Sequence, residues 1–171
     1  LEEHPNANIH VIDSLSAGGE VDLIVRKLNQ LVAEGLDFDQ VVDVITTYQS
    51  KTKLLFVLAK VDNLVKNGRL SKLIGTVVGL LNIRMVGEAS KTGTLELLQK
   101  ARGQKKAIKA AFDELIKAGY NGGHITIAHR NNEKFIEQFS ELVREKFARA
   151  MIEVLPTSGL CTFYAEEGGL L

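Results

Sequence analysis

The 171-residue sequence contains one cysteine, two prolines and no tryptophan, and its 21 Lys plus Arg balance its 21 Asp plus Glu. A single thiol can form neither an internal disulfide nor a zinc cluster, so a reducing, cytoplasmic setting is expected. Zero net charge provides no overall field that would attract nucleic acid or an acidic membrane surface. The longest apolar stretch, residues 70–86, contains Lys72, Asn82 and Arg84 and is too short and too polar for stable membrane insertion.

Hydrophobic residues make up 45% of the chain and charged residues 25%, which is enough to bury a sizeable core. The chain starts on Leu1 rather than Met and stops on Leu170 and Leu171. These ends predict a fragment of a longer protein. An incomplete first domain could expose an apolar face, which favours self-association of the fragment, for example as a homodimer, or a swapped partner strand.

The apolar pattern alternates between strands and helices. Residues 9–13 predict a strand, which the loop SLSAGG joins to a helix, and Asp37 is the predicted cap of a second helix. The remaining predictions are strands at 54–59, 83–88, 94–99, 124–129, 151–156 and 159–165, and helices near 61–65, 70–81, 107–116 and 135–147. The class is α/β with a mixed sheet and flanking helices. A boundary is predicted near Lys51, where two helices give way to strands.

The SLSAGG loop follows a predicted strand and opens a helix, where free backbone N–H groups form a natural anion site. It lacks both the GxGxxG pattern and the lysine of a Walker loop. We therefore favour a turn that packs strand against helix. A nucleotide-dependent enzyme using this loop is the alternative.

The sequence contains no HExxH, no GxSxG and no spaced carboxylate pair, and its four histidines are scattered. His129 falls at the end of a predicted strand, where a hydrogen bond to the neighbouring loop is the ordinary role. Cys161 has no neighbour in the sequence that would activate it, and free cysteine usually behaves as a small buried hydrophobe. We expect no catalytic residue, no metal and no cofactor.

The apolar segment LSKLIGTVVGLLNI carries Gly75 and Gly79. Glycine costs helix stability and leaves no side-chain volume, so these gaps either let backbones approach or make room for an apolar ligand. Arg69 and Arg102 lie in basic, glycine-containing turns, where arginine can contact a carboxylate or phosphate through two hydrogen bonds. A regulator that binds nucleic acid through residues 66–72 is a further alternative, but this patch lacks interleaved aromatic residues.

Four pieces of the sequence, in order, resemble the DegV family: VIDSLSAGG, LVKNGRLS, LLNIR and KARGQKKA. That family usually shows VxDS with a Ser/Gly tail, L-x-x-GGRIS, LLxIKP and RGRxKA. The resemblance covers residues 9 to about 165, and GRLS and RGQKK are its most specific parts. It implies a bacterial two-domain α/β protein, in which residues 1–51 end the first domain and residues 52–171 form the C-terminal domain.

Members of this family bind a long-chain fatty acid, and some are the acyl-carrying subunit of a fatty acid kinase. The resemblance therefore implies a carrier, rather than an enzyme, that presents the carboxylate of one fatty acid to a partner kinase. Arg69 and Arg102, which match the arginines of GGRIS and RGRxKA, are implied on the face that meets the kinase. The implied residues of the acyl tunnel are Ile74, Val77, Val78, Leu81 and Ile83.

The chain departs from the family pattern at the expected head-group site. The family's HTGPG element corresponds to CTFYAEEGG, so Cys161 takes the position of the histidine that approaches the carboxylate, and Thr162 takes the next. The family's carboxylate-binding Thr and Ser belong to N-terminal segments absent from this sequence, so weak binding by this chain alone is expected. Gln104 replaces the second arginine of RGRxKA, and Asn67 replaces the first glycine of GGRIS.

Overall fold

A computed structural model describes residues 7–70 and 82–171. These residues form six helices and five strands. The helices are α1 (Gly19–Ala33), α2 (Phe38–Lys51), α3 (Asp62–Lys66), α4 (Gln104–Lys117), α5 (Glu133–Lys146) and α6 (Gly159–Ala165), and the strands are β1 (Leu55–Leu58), β2 (Ile83–Ala89), β3 (Leu95–Arg102), β4 (His124–His129) and β5 (Met151–Pro156).

The strands form one mixed sheet because the C-terminal residues join its two parts. β1, β2 and β3 pair antiparallel in that order, and β4 pairs with β5 in parallel. Leu170 lies between them: it exchanges both backbone hydrogen bonds with Val57 at 2.9 Å and forms an antiparallel bridge with His129. Leu171 exchanges hydrogen bonds with Ala128 at 2.9 and 2.8 Å. The prediction of an α/β fold with a mixed sheet is confirmed.

Each face of this sheet buries its own apolar cluster. Val57 and Val86 pack with α4 and α5, whereas Phe56 and Met85 alternate to the other face and pack with α3. Gly87 makes room for this second cluster, since a Cβ there would lie 2.3 Å from the Phe56 ring and 2.2 Å from the Glu96 carbonyl oxygen. The core therefore lies on both faces of the central strands.

Helices α1 and α2 bury a third cluster of their own, centred on Ile24, Leu31 and Ile45. Asp37 caps α2 as the sequence predicts: its carboxylate accepts from the Gln40 N–H at 2.9 Å, and the Gln40 side chain accepts from the Asp37 N–H at 3.1 Å. This separate cluster is consistent with a boundary near Lys51, which stays a prediction.

Two strand predictions are wrong. Residues 7–14 adopt no regular structure, and Ile9 and Val11 are 50% and 82% exposed. An extended segment forms a ladder only beside another strand, and none of the strands in the described ranges pairs with it. The alternating pattern of IHVID therefore does not by itself produce a strand.

Residues 159–165 form the helix α6 rather than the predicted strand. Thr, Phe and Tyr favour strands, which explains the error. The inward residues, however, are spaced as on a helix: Cys161 is half-buried and Ala165 fully buried, while Phe163 is 46% exposed. Packing against the rest of the protein, rather than strand propensity, therefore determines that this segment is helical. The predicted helix at 70–81 lies almost entirely outside the described residues.

If Leu170 joins the two parts of the sheet, Leu170→Ala should destabilise the protein strongly. Leu170 is 5% exposed, and large-to-small core changes cost about 2–5 kcal/mol in the free energy of unfolding. Leu160→Ala is the matched control, since Leu160 is 61% exposed and its loss should cost about 0.5 kcal/mol or less. Urea unfolding measures both. Equal losses would contradict the role of Leu170.

Candidate ligand-binding cleft

A cleft of about 710 Å³ lies where β1 and β4 approach each other. Val57 of β1 and Ala128 of β4 pair with the C-terminal tail. Earlier residues of each strand, such as Leu55 in β1 and Ile127 in β4, line the cleft. Helices α4 and α5 close it from one face. Its apolar lining is Leu23, Leu54, Leu55, Val57, Ala111, Leu115, Ala118, Ile125, Ile127, Phe135, Phe139, Leu170 and Leu171. This volume is in the range of protein sites for small ligands, which is about 300–1,000 Å³.

The cleft is also lined by polar groups, among them two lysines and one carboxylate. Lys51 is the last residue of α2, Lys53 lies between α2 and β1, and both are exposed. The Glu20 carboxylate accepts from the Thr52 hydroxyl at 2.6 Å. Tyr48 and Tyr120 also line the cleft, and burial raises the pKa of both phenols, so both are neutral at physiological pH. An apolar interior with lysines and hydrogen-bonding groups at its edge suits a molecule with a long apolar tail and an acidic head.

One wall of the cleft is the start of α1, which is fixed onto β4. Gly19 packs so closely that a Cβ there would lie 3.3 Å from the Thr126 carbonyl oxygen. The Thr126 hydroxyl donates to Asp22 at 3.2 Å, and Arg26 bridges Asp22 at 2.8 Å and Glu153 of β5 at 2.5 Å. The ion pairs are exposed and contribute little each. The close backbone packing at Gly19 therefore does most to set the position of this wall.

The SLSAGG loop does not have the charge of a phosphate site. Gly18, with φ 90°, is the N-cap of α1, and the first turn of the helix carries Glu20 and Asp22. These two carboxylates already interact with the positive end of the helix dipole, and their negative charges would repel a phosphate. The structure therefore favours the interpretation of this loop as a packing turn.

His129 has the ordinary role expected of a histidine at a strand end, since its Nδ1 accepts from the Asn132 backbone N–H at 3.3 Å. Within residues 7–70 and 82–171, no group of three or more His, Cys, Asp or Glu residues is arranged to hold a metal ion. None of the helices in these ranges is long and apolar enough to cross a membrane.

The predicted head-group residues Cys161 and Thr162 are not among the residues that line the cleft, and Cys161 lies beside the SLSAGG loop. Cys161 is half-buried on α6, and its Sγ lies 3.3 Å from the position that a Cβ on Gly18 would take. The Thr162 hydroxyl donates to the Thr157 hydroxyl at 2.9 Å. Gly19, which follows Gly18, lines the cleft, so Cys161 is close to its wall.

The other predicted site residues are distributed around the sheet. Ile83 is a half-buried residue at the start of β2 and pairs with Arg102, which is exposed at the end of β3. Arg69 is exposed, with its guanidinium carbon 6.0 Å from the centre of the Tyr164 ring. Ile74, Val77, Val78 and Leu81 lie outside the described residues.

The sequence does not predict which residues line the cleft. The apolar residues of α4 and α5 form an ordinary amphipathic pattern, and this pattern is the same whether a helix faces packed side chains or a cleft. A weak signal is present in the sequence: small residues line the cleft at Ala111 of α4 and at Ala118 and Gly119, which directly follow this helix. Such positions leave volume that neighbouring aromatic residues do not fill.

The fold and the cleft define a class first: an α/β protein with an apolar cleft beside its central sheet. Residues 1–170 match the model of the DegV family, which is described as a family of uncharacterised proteins. A DegV domain-containing protein of Streptococcus gordonii is 77% identical over all 171 residues, and one of Streptococcus pyogenes serotype M1 is 65% identical. The chain belongs to the DegV family. It spans 61% of the length of these relatives.

Two solved structures resemble the chain over 99% of its length. The Fatty Acid Kinase (Fak) B3 protein of Streptococcus pneumoniae, loaded with linoleic acid, is 74% identical with a TM-score of 0.95, and the chain covers 60% of it. A DegV family protein from Eubacterium eligens, loaded with heptadecanoic acid, is 37% identical with a TM-score of 0.93, and the chain covers 61% of it.

Because the first turn of α1 is acidic, saturating ATP should not raise the melting temperature of the protein. A thermal-shift titration with ATP and Mg²⁺ measures this. Glu20→Gln is the informative comparison, because removing one carboxylate should weaken the repulsion. A clear rise with the unmodified protein would contradict the assignment of the loop as a packing turn.

Proposed function

We propose that the protein binds one long-chain fatty acid, with the acyl chain in the cleft, and presents the carboxylate to a fatty acid kinase. The observation that carries this proposal is the apolar cleft with two lysines among its polar lining residues. Linoleic and heptadecanoic acid in the two related structures support it. Burying the chain stabilises the complex by roughly 0.8 kcal/mol per methylene.

The carboxylate needs hydrogen-bond donors or cations, because burying an unpaired charge is costly. Lys51 and Lys53 provide positive charge at the edge of the cleft. Cys161 and Thr162, on α6 of the proposed second domain, remain proposed head-group contacts, and the Sγ of Cys161 lies next to Gly18. Ile74, Val77, Val78, Leu81 and Ile83 remain proposed acyl contacts.

The protein would then act as a carrier and perform no bond chemistry itself. The proposed organisation is a first domain that ends at residue 51, followed by a C-terminal domain from residue 52. The cleft takes residues from both units, since Gly19 and Leu23 belong to α1 whereas Ile125 and Phe139 belong to the second unit. A ligand held there would contact both proposed domains.

Filling the cleft should block fatty acid binding. Ala118 is half-buried on the lining, so Ala118→Phe adds volume where the ligand would lie without disrupting a packed core. We expect affinity to fall roughly tenfold or more, equivalent to about 1.4 kcal/mol of lost contact or more. Displacement of a fluorescent fatty acid from the full-length protein measures this.

The control is Ala33→Phe, at the exposed end of α1, which should bind as the unmodified protein does. Equal affinity of the Ala118→Phe and Ala33→Phe variants would place the acyl chain elsewhere in the molecule.

Kinase docking should depend on Arg69 and Arg102, which are both exposed. The double variant Arg69→Glu/Arg102→Glu should lower phosphorylation of the bound fatty acid by roughly tenfold, because reversed charges slow association with an acidic partner surface. Fatty acid binding should not change. The matched control is Arg144→Glu/Arg149→Glu, which alters two other exposed arginines. If both double variants lose the same activity, the docking face lies elsewhere.

A further inference from the structure

The cleft has an exposed mouth and a buried floor, and three elements run from one to the other. Gly119, just after α4, is exposed, whereas Ala111 within this helix is 5% exposed. Lys53, shortly before β1, is exposed, whereas Val57 is 4% exposed. Along β4 the lining likewise becomes buried at Ile127. The exposed residues define the mouth of the cleft, and the buried residues define its floor.

Two phenylalanines of α5 close the floor. This helix begins shortly after β4 ends, so its first turns lie at the buried end of the cleft. Phe135 and Phe139 line the cleft there, are 2% and 9% exposed, and stack with 6.3 Å between their ring centroids. They belong to one buried cluster with Val86 and Val143, which do not line the cleft. A ligand that reaches the floor therefore meets a packed core.

The two ends of the cleft differ in chemistry. Lys51, Lys53 and Asn121 are exposed at the mouth. The side chains of the floor are all apolar, namely Val57, Ala111, Ile127, Phe135, Phe139 and Leu170. Because burying an unpaired charge is costly, a fatty acid would keep its carboxylate at the mouth. Its methyl end then lies at the floor.

The cleft is shorter than a fully extended long-chain fatty acid. Ala111 and Gly119 are eight residues apart, which is roughly 12 Å along a helix axis. An extended alkyl chain advances roughly 1.25 Å per carbon, given standard C–C bond lengths and angles, so this depth holds roughly ten carbons. A longer chain bends or extends past the mouth, and in both cases the floor limits how far its methyl end can advance.

We propose that Ala111 and Phe139 set the upper limit of the acyl chain length, because the methyl end of the ligand stops against them. The small side chain of Ala111 leaves the last space at the floor, and the Phe139 ring closes it. This inference rests on the proposed function and adds the class of fatty acid, namely chains whose methyl end reaches these two residues without passing them.

The test compares the affinities of laurate, palmitate, stearate and arachidate for the full-length protein and its variants, by displacement of a fluorescent fatty acid. Ala111→Leu fills the floor and should weaken the binding of stearate by roughly tenfold or more relative to laurate. A short chain with its carboxylate at the mouth does not need this space. Phe139→Ala enlarges the floor and should favour arachidate over palmitate by roughly tenfold compared with the unmodified protein.

The matched control is Ala118→Leu, the same change at the mouth, where the residue is half-buried. Every chain passes the mouth, so this variant should weaken the binding of all four fatty acids by a similar factor. A shift in chain-length preference that is confined to the variants of the floor is the result that the proposal requires.

If Ala111→Leu changes the affinities for laurate and stearate by the same factor, or changes neither, the chain-length limit is overturned while the proposed function stands. If the unmodified protein binds none of the four fatty acids, the proposed function is refuted and the chain-length limit falls with it. Because added volume can overpack a buried position, the melting temperature of each variant is measured first. Should Ala111→Leu or Phe139→Ala not fold, Ala111→Val and Phe139→Leu should give smaller shifts in the same directions.

Discussion

The pairing of Leu170 and Leu171 between β1 and β4 is the interaction on which the rest of the structure depends. It makes one sheet from an antiparallel three-stranded part and a parallel pair. Because the tail runs antiparallel to both neighbours, β1 and β4 run parallel to each other. Residues of both strands then pack with α4 and α5 in one apolar cluster. Among the described residues, these hydrogen bonds are what joins the backbones of the two parts of the sheet.

The same pairing determines where the cleft lies. The tail pairs with Val57 and Ala128, and the preceding residues of both strands line the open space beside it. Helix α1 forms a wall because Gly19 packs against the backbone of β4. The cleft therefore forms where the sheet, its C-terminal tail and α1 meet, and its lining consists of the same residue types as an ordinary core.

Local patterns predicted most elements, because amphipathic helices such as α5 and turns such as that at Gly93 are encoded by neighbouring residues. The two wrong strand predictions concern segments whose structure depends on tertiary contacts. No strand in the described ranges pairs with IHVID, and GLCTFYA forms a helix that buries Ala165 despite its strand propensity.

The lining of the cleft could not be predicted for a related reason. Residues as distant as Gly19, Leu115 and Leu171 meet there, and no local pattern encodes such a meeting.

The central claim is that the cleft holds a fatty acid, and native mass spectrometry of the full-length protein from a bacterial host tests it most directly. Denaturing extraction of the same sample would identify the bound molecule. The account predicts one long-chain fatty acid per chain. A full-length protein that carries none, and takes up none when fatty acid is added, would contradict it.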